Sequence, residues 1–365
     1  MELLMNVPVL VAANKEMPMT KVLVEDPRAG EVRVKMFASG VCHSCLHAYD
    51  GSHATPMPMI LGDEGSGVVE SVGSGVTTLV PGDHVIISWL LNCGTCPPCR
   101  DGKPAHCWAP SPFGALLDNT QRFKNAETGE PVLHYGPATY APYTVVPESS
   151  AIKIRKDMPL DKAALIGCSV TTGFGAVTNA AGARPGESVA IVGCGGVGLN
   201  AVQGARVAGA YPIIAIDLYE GRLALAKEMG ATHLINSSKV DPIAYLQNLG
   251  GADLSVDALG SKATAGASVL SLARRGRHLQ LGLLITPDGL SEIPMARVIA
   301  WEIDLLGSHG MSARDYPEML ALVATGVLNP AVLVKREVGL AEGAKALAEL
   351  DSNSLGGITI IKPNK

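Results

Sequence analysis

Apolar and polar positions alternate in short runs through the first part of the chain. The segments "EVRVKMFASGV" (31–41), "GSGVVESVGSGV" (65–76) and "GDHVIISWLL" (82–91) each suit a half-buried strand. Gly and Pro punctuate them, which predicts a mostly antiparallel, barrel-like β domain over residues 20–90. Residues 112–142 are polar and carry no period, so a long irregular loop is expected there. From about residue 160 the texture changes. Ala-rich helical stretches alternate with "ESVAIVG" (187–193), "YPIIAID" (211–217), "THLIN" (232–236), "ADLSVDAL" (252–259) and "GRHLQLGL" (276–283). Strand and helix in regular alternation predict a parallel sheet with crossover helices, an α/β arrangement. After residue 309 the pattern is mixed, and the closing "GGITIIK" (356–362) reads as a strand that rejoins the first domain. There is no internal repeat or low-complexity segment.

Composition narrows the classes. A chain of 365 residues has room for two cores, and 47% apolar with 17% charged residues describes a compact enzyme rather than a disordered chain. A formal charge of −5 and a pI near 6.0 leave no basic surface for nucleic acid. The N-terminal stretch carries Glu2 before any Lys and lacks a small-residue cleavage site, so no signal peptide is expected. No uninterrupted apolar run approaches the roughly 18 residues of a membrane span. A cytoplasmic protein without a membrane partner is the expectation. Four of the eight Cys fall between 93 and 107, which favours a metal over disulfides.

The segment "IVGCGGVGLN" (191–200) carries chemistry. Gly193, Gly195 and Gly198 form G-x-G-x-x-G directly after an apolar strand and at the head of a helix. The first glycine permits the tight turn, the second lets backbone approach a pyrophosphate, and the third allows helix to pack on strand. The helix N-terminus then offers free N–H groups to phosphate. Packing alone could account for the glycines. Asp217 changes the balance: it ends the next strand, where a carboxylate can accept both ribose hydroxyls of NAD.

In "CGTCPPCRDGKPAHC" (93–107), Cys93, Cys96, Cys99 and Cys107 can wrap a tetrahedral Zn²⁺ within one loop. Four thiolates leave no position for substrate, so this zinc would be structural. Redox C-x-x-C chemistry or an iron–sulfur cluster would use the same thiols but lacks a supporting context. Two further Cys stand apart, Cys42 in "SGVCHSCLHAYDG" (39–51) and Cys168 in "LIGCSVTTGFGAV" (165–177). The run "PMILGDEGSGVVE" (58–70) adds adjacent acids, Asp63 and Glu64, among glycines and apolar residues. Carboxylates in such a run are costly unless a cation meets them. Together with the nucleotide motif, they suggest a catalytic metal beside a nicotinamide.

With these motifs in order, the chain resembles the zinc-dependent medium-chain alcohol dehydrogenases over essentially its whole length. The resemblance rests on "GVCHSCLH", "GDEGSGVV", "PGDHV", the four-Cys lobe, "GCSVTTGFGAV" and "GCGGVG". It implies a GroES-like β-barrel catalytic domain with the zinc lobe over 1–169. A Rossmann doubly wound parallel-sheet coenzyme domain follows over 170–308, then a return to the catalytic domain over 309–365. It further implies two zinc ions per chain, the second held by Cys42, Asp63 and Cys168. Ser44 would take the alcohol proton and His47 would pass it to solvent, with Glu64 behind the metal. His43 would meet the cofactor pyrophosphate. Gly193, Gly195, Gly196, Val197 and Gly198 would line the cofactor, Thr172 and Val197 would press on the nicotinamide, and Asp217 and Arg222 would hold the adenosine ribose. His53, Trp89 and Leu283 match positions lining the substrate channel, Leu283 being counted with the cofactor contacts as well.

Two departures belong together. The family normally has His where this chain has Asp63, and commonly Asp where it has Cys45. A ligating His needs an acceptor for its second N–H, whereas an Asp ligand would be repelled by a neighbouring carboxylate. Neighbouring side chains on extended backbone point to opposite faces, so one acid alone should face the metal. A third departure is Gly356–Gly357, where relatives often carry an Arg that meets the pyrophosphate. The leading expectation is an NAD-dependent dehydrogenase of primary or aromatic alcohols, a homodimer or homotetramer with a small alcohol or aldehyde as partner. The competing readings are a reductase without catalytic zinc acting on an activated double bond, a thiol-adduct or formaldehyde-type dehydrogenase, and a nucleotide-binding protein without activity.

Overall fold

Glu31–Gly40 is the strand around which the N-terminal half is built. In this computed structural model, which describes residues 2–109, 114–285, 290–350 and 352–365, it is buried along almost its whole length. It pairs antiparallel with Gly65–Val72 on one side, and on the other with Tyr143–Pro147 and then Ile358–Lys362. Register shifts at Arg33/Val34 and Met36/Ala38 bend it, which lets its two ends take different partners. Val32, Val34, Met36 and Ala38 are fully or almost fully buried. Arg33 is compensated by Asp26 and Glu70 at 2.8 and 2.7 Å. The strand Ile358–Lys362, the predicted closing strand, therefore completes a sheet begun more than three hundred residues earlier.

A second sheet, of five strands, runs Leu3–Pro8, Met19–Val24, Phe123–Asn125, Pro131–His134 and Met59–Ile60. Two of these strands lie inside the stretch expected to be an irregular loop. That expectation fails because Phe123–Asn125 and Pro131–His134 form an antiparallel hairpin too short to show a period. Residues 112 and 113 lie outside the described part.

The second half carries six parallel strands in the spatial order His233–Asn236, Ile213–Asp217, Val189–Val192, Ala252–Asp257, Leu272–Gln280, Asp304–Gly307. Chain order reverses between Val189–Val192 and Ala252–Asp257, and ligands of such sheets bind outside the strand ends at that reversal. Ile213–Asp217 is buried at every position, as a central parallel strand must be. Among the described residues no single helix is long and apolar enough to cross a membrane.

The halves meet through two helices. Ser169–Gly175 lies against Gly196–Val207 so closely that a Cβ on Gly173 would stand 2.1 Å from the Val197 carbonyl oxygen. The helix that begins next to Cys168 is thus locked to the helix that opens the glycine motif.

Candidate active site

The four lobe thiols come from one short segment. A helical turn at Pro97–Arg100 and a 3₁₀ turn at Pro104–His106 fold it back on itself. Their sulfurs stand 3.4 Å (Cys96–Cys99), 3.6 Å (Cys93–Cys107) and 3.9 Å (Cys96–Cys107) apart. A tetrahedral shell with metal–sulfur bonds of about 2.3 Å has edges of about 3.8 Å. The N–H groups of Cys93, Cys96, Trp108 and Ala109 point at sulfurs, as thiolates require. Burial opposes ionisation of Cys93, yet the N–H groups of Thr95 and Cys96 bring it down to about 6. Burial and the neighbouring thiols push Cys99 up to about 12. Zn²⁺ fits this donor set: it would let all four thiols ionise together.

Cys42, Asp63 and Cys168 come from three distant parts of the chain, yet their ligand atoms lie within 4.8 Å of one another. Cys42 is the residue before helix His43–Asp50, and Cys168 the residue before helix Ser169–Gly175. Asp63 follows Gly62, whose φ of +109° turns the chain between Met59–Ile60 and Gly65–Val72. Cys168 Sγ lies 3.7 Å from Asp63 Oδ2, and Cys45 Sγ lies 3.7 Å from Oδ1. Burial raises the Asp63 carboxyl above its ordinary value. Among the described residues neither Asp63 nor Glu64 forms an ion pair, so a cation is the missing complement. Two thiols and a carboxyl, three donors rather than four, suit a catalytic zinc.

Glu64 is not in that cluster. Its Oε2 accepts from the Ser169 N–H (2.9 Å) and Oγ (3.2 Å). Its Oε1 lies against Gly40, where any Cβ would collide with it. Its carbonyl takes the hydroxyls of Ser39 and Thr139. Burial, and then the Asp63 charge, hold the Glu64 carboxyl well above the carboxylate range. The two acids thus divide: one faces the thiols, the other fastens the helix behind Cys168.

Ser44 sits beside the cluster, its Oγ 3.6 Å from Cys42 Sγ, and its carbonyl is fixed by the Tyr135 hydroxyl at 2.7 Å. His47 lies one turn on, with Nδ1 3.0 Å from Ser52 Oγ, and its ring centroid is 6.4 Å from that of His43. The His53 N–H closes the same turn onto the His47 carbonyl. Trp89 meets His309 edge-on at 4.5 Å. At the nucleotide motif, Gly193 holds φ +89°. A Cβ on Gly198 would stand 1.8 Å from the Gly193 carbonyl oxygen, whereas above Gly195 there is open space, as an approaching pyrophosphate needs. A Cβ on Gly196 would meet Ile358 instead. Thr172 is tied by its N–H to the Cys168 carbonyl. Asp217 accepts from the Cys194 and Tyr219 N–H groups at 2.8 and 3.0 Å, which fixes it at the strand end.

Arg222 gives Nε and Nη2 to the Asn353 carbonyl and lies over the Tyr219 ring, with its charge acting at Cys194 beside Asp217. Leu283 is 47% exposed, with its carbonyl beside Gly260. The Gly356–Gly357 departure has a steric reason. Gly357 holds φ +80°, and a Cβ there would stand 2.3 Å from Lys335 Cγ, so an Arg does not fit. Sequence reasoning missed Tyr135, Ser169, His309 and Asn353. Tyr135 lies in the patternless stretch, and the others act through position alone.

Comparison with known proteins agrees with this architecture. Residues 28–156 match the family described as Alcohol dehydrogenase GroES-like domain, and 196–325 the one described as Zinc-binding dehydrogenase. An alcohol dehydrogenase class-3 of Cereibacter sphaeroides is 39% identical, covering 77% of this chain and 78% of that protein. Solved structures of similar shape include an alcohol dehydrogenase zinc-binding domain protein from Burkholderia ambifaria (33% identity, TM-score 0.92, 99% of both chains). Another is benzyl alcohol dehydrogenase from Acinetobacter calcoaceticus (30% identity, TM-score 0.91, 99% of both chains). With both halves matched and a zinc-type ligand pattern beside a dinucleotide crevice, the chain belongs to the zinc-dependent medium-chain alcohol dehydrogenases, oxidoreductases that act on alcohols with a nicotinamide cofactor.

Proposed function

We propose that this chain is an NAD-linked dehydrogenase of primary or aromatic alcohols that holds two zinc ions, one in the lobe and one at Cys42, Asp63 and Cys168. The carrying observation is the three-donor cluster, whose Cys168 precedes a helix clamped to the nucleotide-binding helix. A zinc held by these three residues would supply Lewis-acid polarisation of the alcohol oxygen, and a nicotinamide in the crevice would supply the hydride acceptor. The protein's own residues supply the rest. Ser44 takes the alcohol proton as it passes its own to the ribose hydroxyls of the cofactor, and Tyr135 keeps Ser44 in place by holding its carbonyl. His47 receives the proton from the ribose hydroxyls and hands it to solvent, with Ser52 fixing one ring nitrogen. Asp217, held by two backbone N–H groups, favours free ribose hydroxyls and repels a 2′-phosphate, a preference that the nearby Arg222 charge softens without reversing.

Elemental analysis of the purified protein, paired with oxidation of benzyl alcohol and ethanol on NAD⁺ and NADP⁺, tests this. Two zinc ions per chain and a kcat/KM ratio well above one for NAD⁺ are expected. One zinc, or a ratio below one, overturns it. A thiol-adduct dehydrogenase stands second, supported by the class-3 relative. Turnover of S-hydroxymethylglutathione exceeding that of benzyl alcohol would put it first. Thiols kept as ligands suit a reducing cytoplasm. Self-association is supported by the edge strand Asp304–Gly307 and the exposed Ile299 and Leu305, and light scattering gives the order of the oligomer.

A further inference from the structure

Cys45 is fully buried and has no part in the three-donor cluster, yet its thiol meets the Asp63 carboxyl. It lies in the first turn of helix His43–Asp50, three residues after the ligand Cys42, with its N–H on the Cys42 carbonyl at 3.1 Å. The same rigid turn therefore sets both sulfurs. The Gly62 N–H and the Tyr140 hydroxyl both neighbour the Cys45 sulfur, and the Tyr140 hydroxyl gives its own hydrogen to the Gly40 carbonyl. The carboxyl oxygen within reach of the Cys45 S–H is Asp63 Oδ1, at 3.7 Å. The other carboxyl oxygen, Oδ2, lies 3.7 Å from Cys168 Sγ. In a tetrahedral zinc shell a sulfur–oxygen edge is about 3.6 Å, so Oδ2 already stands where a ligand oxygen belongs.

We propose that Cys45 is a positioning residue: its S–H holds Asp63 Oδ1, so that Asp63 meets the metal through Oδ2 alone. This rests on the reading of Cys42, Asp63 and Cys168 as a zinc site. The logic inverts that of a histidine ligand. An imidazole at position 63 would present an N–H and need an acceptor at 45, whereas a carboxylate needs a donor. A thiol supplies one and adds no charge to a shell that already holds two thiolates and a carboxylate. An Asp at 45 would set a second carboxylate against the first. Left unheld, Asp63 could turn both oxygens to the metal and close the direction that substrate needs.

The full-length chain is prepared with Zn²⁺ and with Co²⁺ as Cys45→Ala and Cys45→Ser variants beside the wild type. Metal affinity at the three-donor site is read by chelator competition, and coordination by the visible Co²⁺ bands. The metal in the four-Cys lobe reports in the same sample that each variant is folded. Cys45→Ala is expected to weaken binding about 10–100-fold and to lower band intensity towards five-coordination. Cys45→Ser, whose hydroxyl still donates, is expected to restore affinity to within about threefold and to recover the bands. An unchanged affinity and spectrum in Cys45→Ala, with two metals bound in the wild type, overturns the inference alone. A wild type that binds one metal overturns the site reading and the inference together.

Discussion

The two thiol clusters of this protein are built in opposite ways. The lobe takes four donors from fifteen consecutive residues, half-buried, with N–H···S bonds from that segment and the two residues that follow it. The other cluster takes three donors from positions 42, 63 and 168, with Asp63 and Cys168 buried, on a loop and at two helix starts. The lobe can form as soon as its own loop closes. The three-donor site exists only once the β domain and the helix Ser169–Gly175 have docked, since Glu64 must reach Ser169 to hold that helix. A closed local site serves stability, whereas an open site assembled by tertiary structure can serve chemistry.

The largest expected effects separate the clusters directly. Cys168→Ser should remove one metal and lower alcohol oxidation by about 10⁴-fold, with a melting temperature within about 3 °C of wild type. Elemental analysis, kinetics and calorimetry on one preparation check this, and a large loss of stability would erase the distinction. The paired variant Cys93→Ser with Cys107→Ser should do the reverse. It should lose the other metal and about 3 kcal/mol of stability while the folded fraction keeps its turnover. Loss of activity at temperatures where the variant is fully folded would show that the lobe shapes the reacting site.

At the three-donor site, Ser44→Ala should cost about 10²-fold in kcat, because the proposed proton relay begins at its hydroxyl. His47→Gln should cost about tenfold and recover at high pH, where solvent removes the proton without help. Equal losses at every pH would break the assignment of separate roles. The smallest effect divides site from scaffold. Burial, with the Arg122 charge beside it, brings His134 down to about 3. The unfolded imidazole takes its proton near pH 6.5, so between those values the unfolded chain binds more protons and stability falls as pH drops. The loss should reach about 2 kcal/mol by pH 5, and His134→Asn should flatten the slope. Urea midpoints from pH 7 to 5 read it. An unchanged slope would place the acid sensitivity in the metal clusters instead of the strand Pro131–His134 that carries His134.

Legibility in the sequence followed locality. Five of the six parallel strands were readable because short apolar stretches recur between Ala-rich helical ones, whereas the four-residue Asp304–Gly307 was not. The glycine motif was readable because a turn, a close approach and a helix start impose residue types at fixed spacing. The four-Cys lobe was readable for the same reason. The hairpin at 123–134 was not, since three- and four-residue strands are too short for a period to register. The contact of Arg222 with the Asn353 carbonyl spans 131 residues and leaves no local trace.

The adjacent acids mark the boundary between the two kinds of information. By itself the sequence determined that Asp63 and Glu64 lie among apolar neighbours, that burying them calls for a cation, and that an extended backbone turns them to opposite faces. Only the tertiary structure decided which face holds Cys42 and Cys168, which holds Ser169, and that the Cys45 thiol meets the first acid. Side-chain alternation is a property of neighbouring residues, fixed by backbone geometry. The identity of what each side chain meets is set by packing between segments far apart in the chain, and no local pattern encodes it.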